Sequence, residues 1–427
     1  MTTFSLGVSQ NEYLPARGTD VNAIVTVEAS GGSGAAAPEA AEIVIIDVSG
    51  SMGYPRRSKI EAARDATVKA IECIRDGVWF AVIAGTDQAR EVYPGGGQLV
   101  RAATESRAKA TRAVTTLDAE GGTAIGGWLR LANQIFATHK APISHAILLT
   151  DGQDEDETPA QLDAIVEICE GNFQCDCRGV GTDWEVSELR RISSALLGTV
   201  DILPTPADIP RDFQTLTQHA MSKATADVAL RLWTPRGAEI ELVKQVAPVI
   251  EDLSAKRMTL DELTGDYPTG AWGNEARDYH LCIRVSPGNV GEEMLAGRVG
   301  LVVGGVAAEE HQGLIRAIWT DDVELSTRIS PEVAHYTGQE ELADAVREGI
   351  DARQAGDDAT ATQRLGRAVQ LAAESGNDAT LQLLEQVVDI EDHDTGTVRL
   401  KPHIEEVDEM ALDTRSTKSA PVRRPAP

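Results

Sequence analysis

The chain is poor in basic residues: 39 Lys and Arg stand against 67 Asp and Glu, a formal charge of −28. A surface this acidic repels phosphate backbones and anionic lipid, which argues against nucleic-acid binding and membrane association. Long apolar runs are also missing. The longest, about Val299 to Ala308, falls far short of the ~18–20 residues a spanning helix needs, so no membrane insertion is expected. The start, Met1-Thr-Thr-Phe-Ser-Leu-Gly7, has no basic segment followed by an apolar one; no signal peptide is expected, and a cytoplasmic location is. Cysteines are few and odd in number, five in all, which reads as reduced thiols rather than a disulfide framework. Several catalytic signatures are absent too. There is no Gly-x-x-x-x-Gly-Lys-Ser/Thr phosphate loop and no His-Glu-x-x-His, and the eight His are scattered. Gly179-Val-Gly181 is half a dinucleotide fingerprint and is better read as the close of a strand. Cys169, Cys175 and Cys177 cluster without the second pair that zinc sites use, so they read as buried thiols.

What is present suffices for real cores. Apolar residues make up 42% of 427, and at roughly 150 residues per domain the length suggests about three units. Lys and Phe are scarce beside Ala, Gly, Asp, Arg and Thr, which points to a GC-rich bacterial source.

Residues 1–36 read as two strands and a linker. Phe4, Leu6 and Val8 alternate, as do Val21, Ala23, Val25 and Val27, and Ser30 to Pro38 reads as a flexible connection. From Glu42 the pattern changes. Buried-strand runs (Ile43-Val-Ile-Ile, Val78-Trp-Phe-Ala-Val-Ile, Ala146-Ile-Leu-Leu, Cys177 to Val180, Val200-Asp-Ile-Leu) alternate with amphipathic stretches. Those stretches include Ile60 to Ile74, 101–117, 124–139, 158–171 and 185–195. Such alternation predicts an α/β unit over 39–222, a doubly wound, mostly parallel sheet with helices on both faces. From Ala226 to about 330 the strands follow one another without helices, a β-sandwich signature. The N-terminal strands are expected to join it, leaving the α/β unit inserted. Core packing is the default for the six Trp, and Trp272, in the Gly-rich turn Thr269-Gly-Ala-Trp-Gly, is the one whose setting leaves room for exposure. Residues 338–390 carry three helical stripes: Leu342, Val346, Ile350; Leu365, Val369, Ala372; and Leu381, Leu384, Val388. Residues 391–427, acidic and then basic with Arg415, Lys418, Arg423 and Arg424, read as a disordered tail.

The sharpest motif is Asp47-Val48-Ser49-Gly50-Ser51, directly after a buried strand and before a helix. Ligands of open parallel sheets bind outside the carboxyl ends of the strands, where strand order switches. One carboxylate and two hydroxyls there offer hard oxygens, suited to Mg²⁺, which takes them at ~2.0–2.1 Å and keeps several waters. Two further loops can complete the shell: Gly121-Gly122-Thr123 supplies a hydroxyl, and Leu149-Thr150-Asp151-Gly152 a carboxylate. The bland alternative is that Asp47 and the serines only cap the following helix.

These residues resemble the von Willebrand factor type A (VWA) family, whose metal-ion-dependent adhesion site reads Asp-x-Ser-x-Ser, then a distant Thr, then a distant Asp. The resemblance covers about 39–222. It implies that Ser49, Ser51 and Thr123 coordinate Mg²⁺ or Mn²⁺ directly, with Ca²⁺ a poorer fit, and that Asp47 and Asp151 act largely through waters. It further implies a non-enzymatic adaptor whose metal keeps an open position for an acidic side chain of a partner protein. Two alternatives remain open. The first is a metal-assisted phosphotransfer enzyme using Asp47, as in haloacid-dehalogenase-like phosphatases; their second Asp is replaced here by Ser49, which removes the general acid. The second is a scaffold whose tail carries the function. In that tail Thr395, Thr397, Thr414 and Thr417 follow acidic residues and resemble substrates of bacterial Ser/Thr kinases. With Leu400 three residues on, a phosphorylated Thr397 would also suit a forkhead-associated (FHA) domain partner.

Overall fold

The computed structural model describes residues 2–31, 38–54 and 58–422. The chain forms two units: Ala36–Lys223, and Met1–Ala35 together with Ala224–Pro427. Most of the connection expected at Ser30 to Pro38, and Arg423 and Arg424 of the basic end, lie outside the described residues.

The Ala36–Lys223 unit is built on a seven-stranded sheet. Across it run Val200–Leu203, Gln174–Val180, Ile143–Thr150, Ala40–Asp47 and Trp79–Gly85, each parallel to the next. Arg90–Tyr93 and Val100–Arg101 add antiparallel to Trp79–Gly85; neither was legible as a strand. Ala40–Asp47 is buried at every position, as a central strand covered on both faces must be. The chain leaves it first toward Trp79–Gly85 and later returns on its other side at Ile143–Thr150, so strand order switches at its carboxyl end. The helices are Ser58–Cys73, Thr104–Val114, Ile125–Thr138, Pro159–Cys169, Val186–Ala195 and Ile209–Ser222. Ser58–Cys73 buries Ile60, Ala63, Thr67, Ala70 and Ile71, a single face at helical spacing. Pro159–Cys169 starts on a reciprocal cap: Thr158 accepts from the Gln161 N–H, and Gln161 accepts from the Thr158 N–H at 2.8 Å. Cys169, Cys175 and Cys177 are buried free thiols.

A row of buried charge crosses this sheet toward the amino ends of its strands. His145 Nδ1 lies 2.9 Å from Glu42 Oε1, and its Nε2 lies 3.0 Å from Asp176 Oδ2. Burial works against a charge on the imidazole, but the flanking carboxylates outweigh it and push His145 up to about 10. The ring thus bridges two carboxylates inside the sheet, and their charge favours its protonated form.

The other unit contains two large sheets and a two-stranded one. One is five-stranded, in the order Thr2–Gln10, Asp20–Gly31, Glu275–Arg284, Glu239–Ala247, Glu251–Asp252. The other is six-stranded: Met258–Thr259, Thr264–Trp272, Thr225–Trp233, Glu293–Val303, Val306–Thr320, Tyr13–Pro15. Side chains of the two sheets meet, as where the Phe4 ring packs edge-on to Trp272 with centroids 5.7 Å apart. The exposure that its Gly-rich turn allowed Trp272 is not found. Trp272 is the last residue of a strand, fully buried, with the Arg277 guanidinium 4.2 Å from its ring. Alternating burial along Thr264–Trp272 was obscured because Gly265, Thr269 and Ala271, small or polar, hold most of its buried positions.

Helices Pro331–Gln354, Asp358–Ser375 and Asp378–Val387 follow. The first is tied to the five-stranded sheet. Glu340 accepts from Lys244 Nζ at 2.7 Å and His280 Nδ1 at 2.8 Å, and Tyr336 packs with Ile24 and Val246. The expectation of a disordered tail is corrected. Val388–Asp392 pairs with Thr397–Leu400, and Glu406–Arg415 is a helix whose Leu412 is fully buried with Leu384 and Val387. Beyond it, the Ile250 N–H donates to the Thr417 carbonyl at 2.8 Å and the Ser419 N–H to the Pro248 carbonyl at 3.1 Å. The segment is short of apolar residues, but Val398, Ala411 and Leu412 are buried, and Leu400 and Ile404 pack partly buried against the same helical core.

Candidate functional site

At the switch point, loops after two adjacent strands and one turn from elsewhere meet. Asp47 ends its strand fully buried. Its Oδ1 accepts the Ser49 N–H at 2.7 Å, and its Oδ2 accepts the Thr150 hydroxyl at 2.6 Å and the Asp151 N–H at 3.3 Å. This folds the Asp-x-Ser-x-Ser loop back on its own first residue, so that the hydroxyls of Ser49 and Ser51 lie 2.9 Å apart. Ser51 donates to Asp151 Oδ1 at 2.6 Å, and Lys59 Nζ sits 2.7 Å from Asp151 Oδ2.

The Thr123 turn is held to this loop by backbone. The Gly50 N–H donates to the Gly121 carbonyl at 3.0 Å, and the Glu120 N–H to the Val48 carbonyl at 2.8 Å. Gly121 has φ +81°, and a Cβ there would lie 2.6 Å from Asp87 Oδ1, so glycine is required. Asp156 Oδ2 accepts the Thr123 N–H at 3.0 Å, and Asp154 Oδ2 the Ile125 N–H at 3.1 Å. Gly152 shows how closely the hydroxyls converge: its absent Cβ would stand 3.6 Å from Thr123 Oγ1 and 3.7 Å from Ser51 Oγ. Asp47, Ser49, Ser51, Thr123 and Asp151 are thus brought together. Among the described residues no group of three His, Cys, Asp or Glu side chains suits a metal, so a cation here would rely on hydroxyls.

Burial, and then the charge of Asp151, push the Asp47 carboxyl up to about 6, against the hydrogen bonds from Ser49 and Thr150. For Lys59, burial opposes the charge, yet Asp151 and Asp183 hold the ammonium above the ordinary lysine range. Burial and the facing Glu157 and Glu188 carboxylates raise Asp154 to about 7. Thr150, Lys59, Asp154 and Asp156 were missed in sequence. The acidic run Asp154 to Glu157, so close behind Asp151, was the available signal.

Of the four candidate threonines, Thr395 and Thr397 are exposed at the turn of the C-terminal hairpin, with hydroxyls 2.8 Å apart. Thr417 is half-buried. Thr414 is 1% exposed on the inner side of its helix, a correction to its reading as an accessible tail residue.

Comparison with known proteins follows the same division. Residues 41–202 match the von Willebrand factor type A domain, and 370–416 the von Willebrand factor type A C-terminal domain. A solved von Willebrand factor type A protein from Catenulispora acidiphila is 53% identical, covering 98% of this chain and 97% of that one, with a TM-score of 0.93. VWA2, an ArnB paralog from Sulfolobus acidocaldarius, is 15% identical over 97% of this chain and 98% of its own, with a TM-score of 0.60, and so shares the fold. An uncharacterized protein of Synechocystis sp. is 29% identical over 209 residues, 48% of this chain and 47% of that protein; the match spans about half of that relative's length.

Proposed function

Because the chain belongs to the von Willebrand factor type A family, we propose that it is a non-enzymatic, metal-dependent protein-interaction adaptor. In this reading Ser49, Ser51 and Thr123 hold Mg²⁺ or Mn²⁺ through their hydroxyl oxygens, and Asp47 and Asp151 act through waters. The metal supplies a Lewis-acidic open position, which takes an acidic side chain of a partner protein. The observation that carries this is the convergence of hydroxyls on Gly152. A serine that donates its proton to Asp151 keeps its lone pairs for a cation.

The same geometry disfavours phosphotransfer by Asp47. Both its oxygens are engaged and the residue has no exposed surface, so no substrate phosphorus reaches it. Five free thiols suit a reducing, cytoplasmic setting. No helix of the described residues is long and apolar enough to cross a membrane. Kinase phosphorylation and an FHA-domain partner, if they act here, fall on Thr395 or Thr397, the two exposed hydroxyls.

The test is the melting temperature of metal-free protein against added Mg²⁺ or Mn²⁺. A cation that binds only the native state raises it by mass action. Wild type should show the rise and Ser49→Ala should lose it with its metal-free melting unchanged. An equal rise in both would overturn the assignment.

A further inference from the structure

We propose that Lys59 is a built-in counter-ion of this site, one that cancels a carboxylate charge and so sets both how tightly a divalent metal is held and how strongly the bound metal draws an anionic ligand. The inference rests on the metal reading above and deepens it.

Lys59 Nζ lies 2.7 Å from Asp151 Oδ2 and 3.3 Å from Asp183 Oδ2. The two contacts are unequal in weight. Asp183 is 71% exposed, where water and salt screen it, whereas Asp151 has no exposed side-chain surface. Lys59 itself is mostly covered, and its stem passes Gly181, whose missing Cβ would lie 4.0 Å from Lys59 Cε. It is also the second residue of the helix Ser58–Cys73. A cation in the first turn sits at the end of a helix that favours anions, so helix formation does not account for it. The pairing with Asp151 does.

The charges then set the chemistry. Counting only Asp47 and Asp151, the carboxylates that the Ser49–Ser51 loop touches, a divalent cation beside them leaves no net charge to draw an anion. With Lys59 counted, the same assembly carries one positive charge, which a single partner carboxylate neutralises. Lys59 therefore weakens metal binding in the free protein and couples metal retention to an acidic ligand.

The experiment measures free Mn²⁺ by electron paramagnetic resonance in titrations of wild type, Lys59→Gln, Lys59→Met and Lys59→Arg, with and without acetate as the carboxylate probe. Removing the charge should tighten Mn²⁺ binding about tenfold in Lys59→Gln and Lys59→Met. Lys59→Arg should stay near wild type. Acetate should tighten Mn²⁺ binding in wild type and Lys59→Arg, and clearly less in the two neutral variants. Circular dichroism in EDTA establishes that each variant is folded. Folded neutral variants that hold Mn²⁺ no more tightly than wild type would overturn the role of Lys59, while Ser49→Ala would still lose the metal. Failure of wild type to bind Mn²⁺ at all would overturn this inference together with the reading it rests on.

Discussion

The backbone N–H of Asp151 points at the carboxylate of Asp47, 3.3 Å from Oδ2. Asp47 ends the strand Ala40–Asp47, and Asp151 directly follows its parallel neighbour Ile143–Thr150. Asp47 thus fixes the loop that carries Asp151 as well as its own serines. Its direct hydrogen bonds shape both loops, which separates its task from the one proposed for the hydroxyls, whose oxygens would face the cation while Asp47 acts on it through water.

The buried charge row gives the clearest stability test. Substituting His145→Ala leaves Glu42 and Asp176 facing each other in the core, and breaking such a buried pair costs about 3–5 kcal/mol. The pH dependence has a definite sign. The folded-state pKa of His145 is raised from 6.5 to about 10, so its contribution is full below about 6.5 and is lost as pH rises toward 10. Wild-type melting should fall between pH 7 and 10, and His145→Ala should flatten that fall. A variant with the same slope as wild type would show that other groups govern the alkaline limb.

This row also marks what a linear sequence hides. Glu42, His145 and Asp176 sit on three strands, and nothing in their local spacing pairs them. The proposed metal loop was legible for the opposite reason: Asp47, Ser49 and Ser51 are locally spaced, and a buried strand before them and a helix after them fix where they point. Thr123 and Asp151 were legible as loop oxygens, one after a Gly-Gly turn and one at the end of a buried strand, and the family pattern joined them to that loop. Lys59 and Asp156 reach the site by side-chain length and tertiary folding, and no periodicity announces either. The antiparallel edge at Arg90–Tyr93 was passed over because half-buried edge strands lack the continuous apolar run of central ones.

The C-terminal segment offers a second test. Leu412 is fully buried against the helical core, with Leu384 and Val387 in the same cluster. Leu412→Ala should cost about 2–5 kcal/mol of whatever stability that helical region contributes. Thermal or denaturant unfolding followed by far-ultraviolet dichroism would read it. A disordered tail would make the substitution silent, so an unchanged transition would restore that expectation and remove the ordered helix Glu406–Arg415.

The third test concerns a residue that touches no proposed ligand atom. Asp156 Oδ2 accepts the Thr123 N–H, and the Asp156 N–H donates to the Thr123 carbonyl at 3.2 Å. The turn therefore gets its position from Asp156 on both sides of one residue. A Cβ on Gly122 would lie 2.2 Å from that same carboxylate, so the turn and the acid are packed together. Asp156→Ala removes the acceptor and leaves the backbone donor, freeing the Thr123 hydroxyl to drift from Ser51. Groups that orient ligands from outside the coordination shell typically contribute about 10–100-fold in metal affinity. Asp156→Ala should weaken Mg²⁺ and Mn²⁺ binding within that range, and melting in EDTA should move little because Asp156 is exposed. Unaltered metal affinity in this variant would mean that Thr123 is not held for the cation, and that Ser49 and Ser51 hold it without the third hydroxyl.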